Sequence, residues 1–495
     1  MPSLIASLTA DLRAANFTVD ALTDLWGPEA AAALHRGHRV PALRTAVGTS
    51  SPLATLASTL ILGLAASPAA WNAALPNLTF DGAVELGLAS SGGAPLLDLR
   101  PYSIVDSRGV ASWWIASDLG ELALGGPIPE HHVLGVGGAS TTLSAIMMSR
   151  PTTSTLDLGT GCGIQALHAA RHSERVVATD ISPRALDLAH LNAQLNGVEL
   201  DLRLGNLFEP VAGERFDHVV SNPPFVITPR AEDVPAYEYR DGGLVGDGIV
   251  EAVIRRVGDH LVPGGFAQLL GNWEYRDGAD GLDRVASWIY ESGLDAWVVE
   301  REVQPVELYA ETWIRDGGTR PGAEFDRLYA AWLDDFGARG VRSVGFGYIT
   351  LRRPQSGHPT FQRFEHYGET LAGSLGEHIS AVFSAADWLN SRDDAALVRA
   401  RLTVAPDVTE ERHYWPGAGD PTVILLRQGS GFARTVQAGT AIAAVVGACD
   451  GELELGAICA AVAHLLDVDA AALTAEVLPQ IRELVLVGML GTASA

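Results

Sequence analysis

The sequence predicts a doubly wound α/β domain in the middle of a 495-residue chain, with a smaller unit on either side. Three observations carry this. From about residue 150, short apolar runs alternate with helix-period stretches, as they do where parallel strands are joined by crossover helices. The two flanks lack that alternation. The chain is also longer than one hydrophobic core usually serves, so several domains are expected. The expected division is 1–125, a helical unit ending in a β-ribbon; 126–355, the α/β domain; and 356–495, a mostly helical unit.

Residues 1–70 read as helices. The most apolar window, LATLASTLILGLAAS at 53–67, is short for a membrane span and dotted with Ser, Thr and Gly, so a buried helix is expected. Between 78 and 122, period-2 runs are punctuated by SSGG and SRG turns. Helices followed by a ribbon suggest a winged-helix-like, substrate-recognising unit. The Gly-rich stretch at 122–141 reads as the boundary.

In the central region TSTLDLG is a strand and GIQALHAARHS a helix. RVVATDIS is the second strand. The helix PRALDLAHLNAQLNG follows, with Pro183 in its first turn and Gly197 just past its end. ELDLRLGNLF, FDHVVSNPPF, FAQLLGNW, DAWVVERE and SVGFGYITLRR supply five more strands, seven in all, with a helical insert at roughly 304–340 between the last two. The stretch 440–490 reads as several amphipathic helices, winged-helix-like or similar to a peptide clasp.

Composition narrows the chemistry. All 34 basic residues are arginine, which excludes a lysine nucleophile or Schiff base. The net charge is −25, and acids outnumber arginines in each of three segments: 11 to 6 over 1–130, 31 to 20 over 131–355 and 17 to 8 over 356–495. The basic footprint of a nucleic-acid binder is missing at this resolution. Three scattered cysteines supply neither a disulfide framework nor a structural zinc site. No basic segment precedes an apolar one at the N-terminus, so a cytoplasmic protein without a membrane partner is expected.

Two loops at strand ends carry the chemistry. In LDLGTGCG (156–163), Gly159, Gly161 and Gly163 sit between a strand and a helix, where a backbone free of Cβ atoms can turn tightly and approach a ligand. Asp157 stands ahead of the first glycine, placed to accept from a ligand amine or to orient water. Asp180 ends the second strand, where an acid typically holds ribose hydroxyls. A dinucleotide enzyme would require Gly-x-Gly-x-x-Gly, and this loop lacks it. The second loop is Asn222-Pro223-Pro224-Phe225, in which two prolines end a strand and fix a carbonyl.

Together, Asp157-Leu158-Gly159-Thr160-Gly161-Cys162-Gly163, Asp180-Ile181-Ser182 and Asn222-Pro223-Pro224-Phe225 resemble the class I S-adenosylmethionine-dependent N-methyltransferases over about 130–355. The resemblance implies a seven-stranded Rossmann-like sheet and S-adenosylmethionine as cofactor. Asp157, Thr160 and the glycines would hold its methionine moiety, Asp180 and Ile181 its ribose, and Asn206 and Leu207 its adenine. Many relatives have Asp where Asn206 stands. Asn222 and the Pro223 carbonyl would each accept an N–H of a planar nitrogen, with Phe225 against the planar group. The stretch YEYRDGGLVGDG after this loop places Tyr237, Tyr239 and Arg240 as candidates for the substrate mouth. Two acceptor classes share the motif. The stretch GGLVGDG at 242–248 resembles the glycine-rich stretch of release-factor glutamine methyltransferases. Phe225, where those carry tyrosine, resembles ribosomal-RNA guanine methyltransferases and some adenine ones. The acidic balance favours a protein or peptide amide over a nucleobase amine in RNA or DNA. A small-molecule acceptor and a non-catalytic scaffold complete the alternatives. His168 and His172, four apart on one helix, lack the carboxylates of a metal site, and no metal is expected.

Overall fold

The computed structural model describes residues 2–492, except 47, 107, 125–127, 231–233, 236, 238–239, 370, 372 and 374. Short helices fill most of residues 2–85, and the antiparallel ribbon β1 (Leu97–Asp106) and β2 (Gly109–Asp118) follows. The helix at Pro52–Leu56 runs on into a π turn, Ala57–Ile61, and its apolar residues pack into the N-terminal core.

The central sheet is built from β3 (Thr152–Leu158), β4 (Ser173–Asp180), β5 (Asp201–Leu204), β6 (Phe216–Ser221), β7 (Leu261–Arg276), β8 (Asp295–Pro305), β9 (Val341–Arg352) and β10 (Gln362–His366). Their spatial order is β10-β8-β9-β7-β6-β3-β4-β5. β3 to β7 are mutually parallel where they pair, and β9 runs antiparallel to both β7 and β8. The order reverses at β3, so the ends of β3, β4 and β6 open onto one crevice, where ligands bind in doubly wound sheets.

The expected seven strands are eight. β10 comes from beyond the boundary expected at 355 and extends the sheet edge, pairing in parallel with β8. Its five residues, QRFEH, carry no apolar alternation, so only the unpaired edge of β8 defines them as a strand. The C-terminal region also departs from a mostly helical reading. The helices Thr440–Gly447, Leu455–Leu466 and Ala470–Leu486 are accompanied by six short strands in two three-stranded sheets. Those strands are three to six residues long, and one of the sheets pairs Arg401–Val404 with Leu490–Thr492 across the whole region, so they leave little local period to read.

The N-terminal unit docks on the helix layer of the sheet. Its core includes Leu12, Phe17, Trp71 and Ile115, and it takes in Ile164, Leu167, Ala185 and Leu188 from the two helices that follow β3 and β4. Asn192, fully buried on the helix Pro183–Leu195, acts as a piece of strand. Its Oδ1 accepts from the Ala116 N–H at 2.7 Å, and its Nδ2 donates to the Ala116 carbonyl at 2.9 Å and the Cys162 carbonyl at 2.8 Å. Asn196 repeats this on the backbone of Trp114.

Candidate functional site

The site begins where β3 ends. Gly159, Gly161 and Gly163 all have positive φ, at 75°, 54° and 87°, a region that a Cβ penalises. They serve different ends. A Cβ on Gly163 would stand 3.1 Å from the Ala189 side chain, so this glycine lets two helices pack closely. A Cβ on Gly159 or Gly161 would meet nothing within 4 Å, so their bare backbone faces open space that a ligand can use. The turn is pinned by the N–H groups of Gly159 and Thr160, both donating to the Thr179 carbonyl at 2.9 Å.

Two carboxylates border this turn. Asp180, at the end of β4, accepts from the Gly161 N–H and the Ser182 N–H, one on each oxygen and both at 2.9 Å. Asp157 is fully buried. Its Oδ2 accepts from Thr160 Oγ1 at 2.6 Å, while its Oδ1 has no partner among the described residues. Burial pushes its carboxyl up to about 7, against the opposing effects of the Thr160 bond and the Ala166 N–H. An unpaired buried carboxylate oxygen fits a cationic amine, and the open face of the glycine turn fits an extended ligand beside it. Ile181 is exposed next to Asp180. Asn206 is exposed, its carbonyl accepting from the Glu209 N–H, and Leu207 holds a left-handed φ of 47°. Both follow β5, so the glycine turn, Asp180-Ile181 and Asn206-Leu207 line up along three adjacent strand ends.

β6 brings the second loop alongside. Ser221 pairs with Leu158, and its Oγ donates to the Leu158 carbonyl at 2.7 Å, so Asn222 and Gly159 leave the sheet from neighbouring positions. Asn222 Oδ1 is buried and has no hydrogen-bond partner among the described residues. Pro223 is buried and Pro224 half-buried. Phe225 is largely buried rather than presented flat to the crevice: its ring lies 5.7 Å from that of Phe346, centroid to centroid, and its backbone bridges to Asp241.

Tyr237 and Arg240 lie against the insert, which forms the helices Val306–Asp316 and Ala323–Ala338. Tyr237 donates to the Gly317 carbonyl. Arg240 lies over the Tyr237 ring and bonds the Trp313 carbonyl and Asp316, both at 2.8 Å. Both are almost fully buried, so they tether the loop to the insert. Tyr239 lies outside the described residues. The Gly-rich stretch that follows is anchored by Asp247, which accepts from Arg284 and from the Glu274 N–H.

Asn272 and Tyr309 are functional candidates that sequence reasoning missed. Tyr309, buried on the first insert helix, accepts from the Ile227 N–H at 3.0 Å, and its Oη lies 2.6 Å from Asn272 Nδ2 on β7. An asparagine in the run LLGNW offers only a polar residue in a buried strand as a signal, and its partner is 37 residues away.

His168 and His172 are both buried and pushed down to about 4 by desolvation. His168 Nε2 lies 3.2 Å from Tyr102 Oη. Among the described residues no three His, Cys, Asp or Glu side chains are grouped to hold a metal, and no helix is long and apolar enough to cross a membrane.

Comparison with known proteins falls on the same stretch. Residues 135–238 match the methyltransferase small domain family. Residues 14–100 and 380–492 match two domains of unknown function. The release factor glutamine methyltransferase of Geobacter sulfurreducens is 38% identical over 120 residues, 22% of this chain and 42% of that protein. The ribosomal protein uL3 glutamine methyltransferase of Bradyrhizobium diazoefficiens is 33% identical over 153 residues, 28% of this chain and 46% of that protein. The chain thus spans less than half the length of these two relatives. Among solved structures, the T. thermophilus 16S rRNA N2 G1207 methyltransferase in complex with AdoMet and guanosine is 21% identical, covering 35% of this chain and 42% of that one, at a TM-score of 0.25. Residues 135–238, the stretch that matches the methyltransferase small domain, hold the glycine turn, Asp180 and Asn222.

Proposed function

We propose that this protein is an S-adenosylmethionine-dependent N-methyltransferase acting in the cytoplasm on a side-chain amide of a protein or peptide. The observation that carries this reading is the pair of unpaired buried oxygens on adjacent strand ends, Asp157 Oδ1 beside the glycine turn and Asn222 Oδ1 at the end of β6. The first suits the cofactor's amino group and the second an N–H of the acceptor. A buried acceptor with no partner costs about 1–3 kcal/mol, which a bound donor recovers.

When bound, S-adenosylmethionine supplies a methyl group on a sulfonium, open to in-line attack. The chain's residues hold and orient. Asp157, Thr160 and the backbone of Gly159, Gly161 and Gly163 hold the amino-acid end, Asp180 with Ile181 the ribose, and Asn206 with Leu207 the base. An amide nitrogen is a poor nucleophile because its lone pair is delocalised. Asn222 Oδ1 and the Pro223 carbonyl each accept an N–H of that nitrogen, and both bonds strengthen as positive charge develops on it. Pro223 and Pro224 hold that carbonyl still, so fixed geometry supplies much of the acceleration. Phe225 supports the loop from behind through Phe346. The flanking units would select the acceptor. The 126–355 domain is read as catalytic, 1–125 as a recognition unit, and 356–495 as a further docking unit.

The glutamine specificity of the two relatives favours an amide acceptor. Incubating the full chain with methyl-labelled S-adenosylmethionine and cell extract tests this. Label in protein, at glutamine after digestion, is the expected result. Label in RNA or in small molecules would replace the acceptor class, and no transfer to any fraction despite cofactor binding would leave a scaffold.

A further inference from the structure

Three buried polar atoms without a partner among the described residues belong to the loop that follows β6 or to the strand beside it: Asn222 Oδ1, Thr228 Oγ1 and Asn272 Oδ1. Asn272 sits on β7, the strand adjacent to β6. Ser221 pairs with Leu269, so Asn272 is three residues beyond that register, at the level of the proline turn. The chain returns to it after the turn, because the Ile227 N–H and Asn272 Nδ2 meet on the same Tyr309 hydroxyl.

Proton accounting shows what the asparagine has free. A backbone N–H can only donate, so Tyr309 Oη accepts from Ile227. The hydroxyl then has its own proton to give, and the Asn272 amide is the group 2.6 Å away. The two ends of an asparagine amide are assigned from the hydrogen bonds they make. With its oxygen turned to the hydroxyl, Asn272 accepts that proton, and its NH₂ group takes the buried position at which the oxygen makes no hydrogen bond. Asn272 is 2% exposed, so a donor held there is shielded from bulk solvent.

We propose that Asn272, held by Tyr309, is a positioning and specificity residue that donates an N–H to the carbonyl oxygen of the acceptor amide, while Asn222 accepts from its nitrogen. This rests on the amide reading above. Two asparagines on adjacent strands would then read the two ends of one amide, donor to acceptor and acceptor to donor, and discriminate against acceptors lacking the carbonyl. Donation to a carbonyl oxygen does not make the attached nitrogen a better nucleophile. The contribution is to binding and orientation, and its signature is in KM.

The test compares the full wild-type chain with Asn272→Asp, Asn272→Leu and Tyr309→Phe. It measures methyl transfer from labelled S-adenosylmethionine to a glutamine-containing peptide blocked at both ends, and to guanosine. Asn272→Asp is the discriminating variant. It still accepts from the Tyr309 hydroxyl but has no N–H to offer. The expected result is a peptide KM raised about tenfold or more in both Asn272 variants. kcat should stay within a few-fold and cofactor affinity should not change, with a smaller KM rise in Tyr309→Phe. A purely structural asparagine would be rescued by Asp, so a wild-type KM in Asn272→Asp overturns the proposal. A wild-type chain that labels guanosine and not the peptide overturns the amide reading beneath it. Transfer to the peptide with unmoved KM in all three variants removes only the role of Asn272. If Asn272→Leu fails to fold, Asn272→Asp and Tyr309→Phe, which keep the packing, decide alone.

Discussion

The side chain of Asn192 closes a two-bond pair with the backbone of Ala116 and reaches on to the Cys162 carbonyl, so one fully buried amide joins the N-terminal ribbon to the glycine turn. All three contacts are between 2.7 and 2.9 Å. The amide's acceptor and both of its donors are used, which is the condition under which a buried polar side chain stabilises. Asn192→Leu keeps the volume but strands the N–H and carbonyl of Ala116. We expect a loss of about 2–4 kcal/mol in chemical denaturation. Asn192→Asp should recover part of the loss through the retained acceptor. Equal stability of Asn192→Leu and wild type would mean that the N-terminal unit is held by its apolar contacts alone.

Asp180 shapes the turn through its bonds to the Gly161 and Ser182 N–H groups. Asp180→Ala removes the acceptor for the Gly161 and Ser182 N–H groups as well as the carboxylate proposed for the ribose. S-adenosylmethionine affinity by calorimetry should fall by about 2–4 kcal/mol. Unchanged affinity would take Asp180 out of the cofactor site.

The raised carboxyl of Asp157 makes two pH dependences. Its folded value of about 7 lies above the usual carboxylate value of about 3.9. The folded state therefore holds its proton more tightly than the unfolded one. The contribution to stability is full below about pH 4 and is lost as pH rises through 7. Cofactor binding runs the other way, because a cationic amine prefers the ionised form. Affinity should rise between pH 6 and pH 8 with release of a proton. Asp157→Asn should flatten both trends. A wild-type affinity that is level across that range would show that Asp157 does not meet the charged amine.

Asn222→Ala removes one acceptor and leaves the glycine turn and Asp180 in place. Cofactor affinity should hold while kcat falls by about 10²–10³, the scale of one lost transition-state hydrogen bond. Asn222→Asp keeps an acceptor oxygen and should retain more activity than Ala. An Asp variant as inactive as Ala, with cofactor still bound, would rule out simple acceptance as its role.

What the sequence determined by itself is the local chemistry. Asp157, the three glycines, Asp180 and Asn222-Pro223-Pro224-Phe225 stand at strand ends because each loop carries its own instruction: a glycine where φ is positive, a proline where the ladder must stop. The alternation of strand and helix from β3 to β9 was legible for the same reason, since each element repeats its period over several residues. The tertiary structure decided what depends on distant partners. β10 is a strand because β8 has a free edge. One C-terminal sheet exists because Arg401–Val404 finds Leu490–Thr492 across the whole region. Phe225 turned inward because Phe346 lies behind it, and Tyr237 and Arg240 turned to the insert because Trp313, Asp316 and Gly317 offer them partners. Asn272 gained meaning only when the insert placed Tyr309 against it. Periodicity and turn chemistry are written within a dozen residues, whereas pairing, burial and hydrogen-bond satisfaction are settled only when the whole chain has closed on itself.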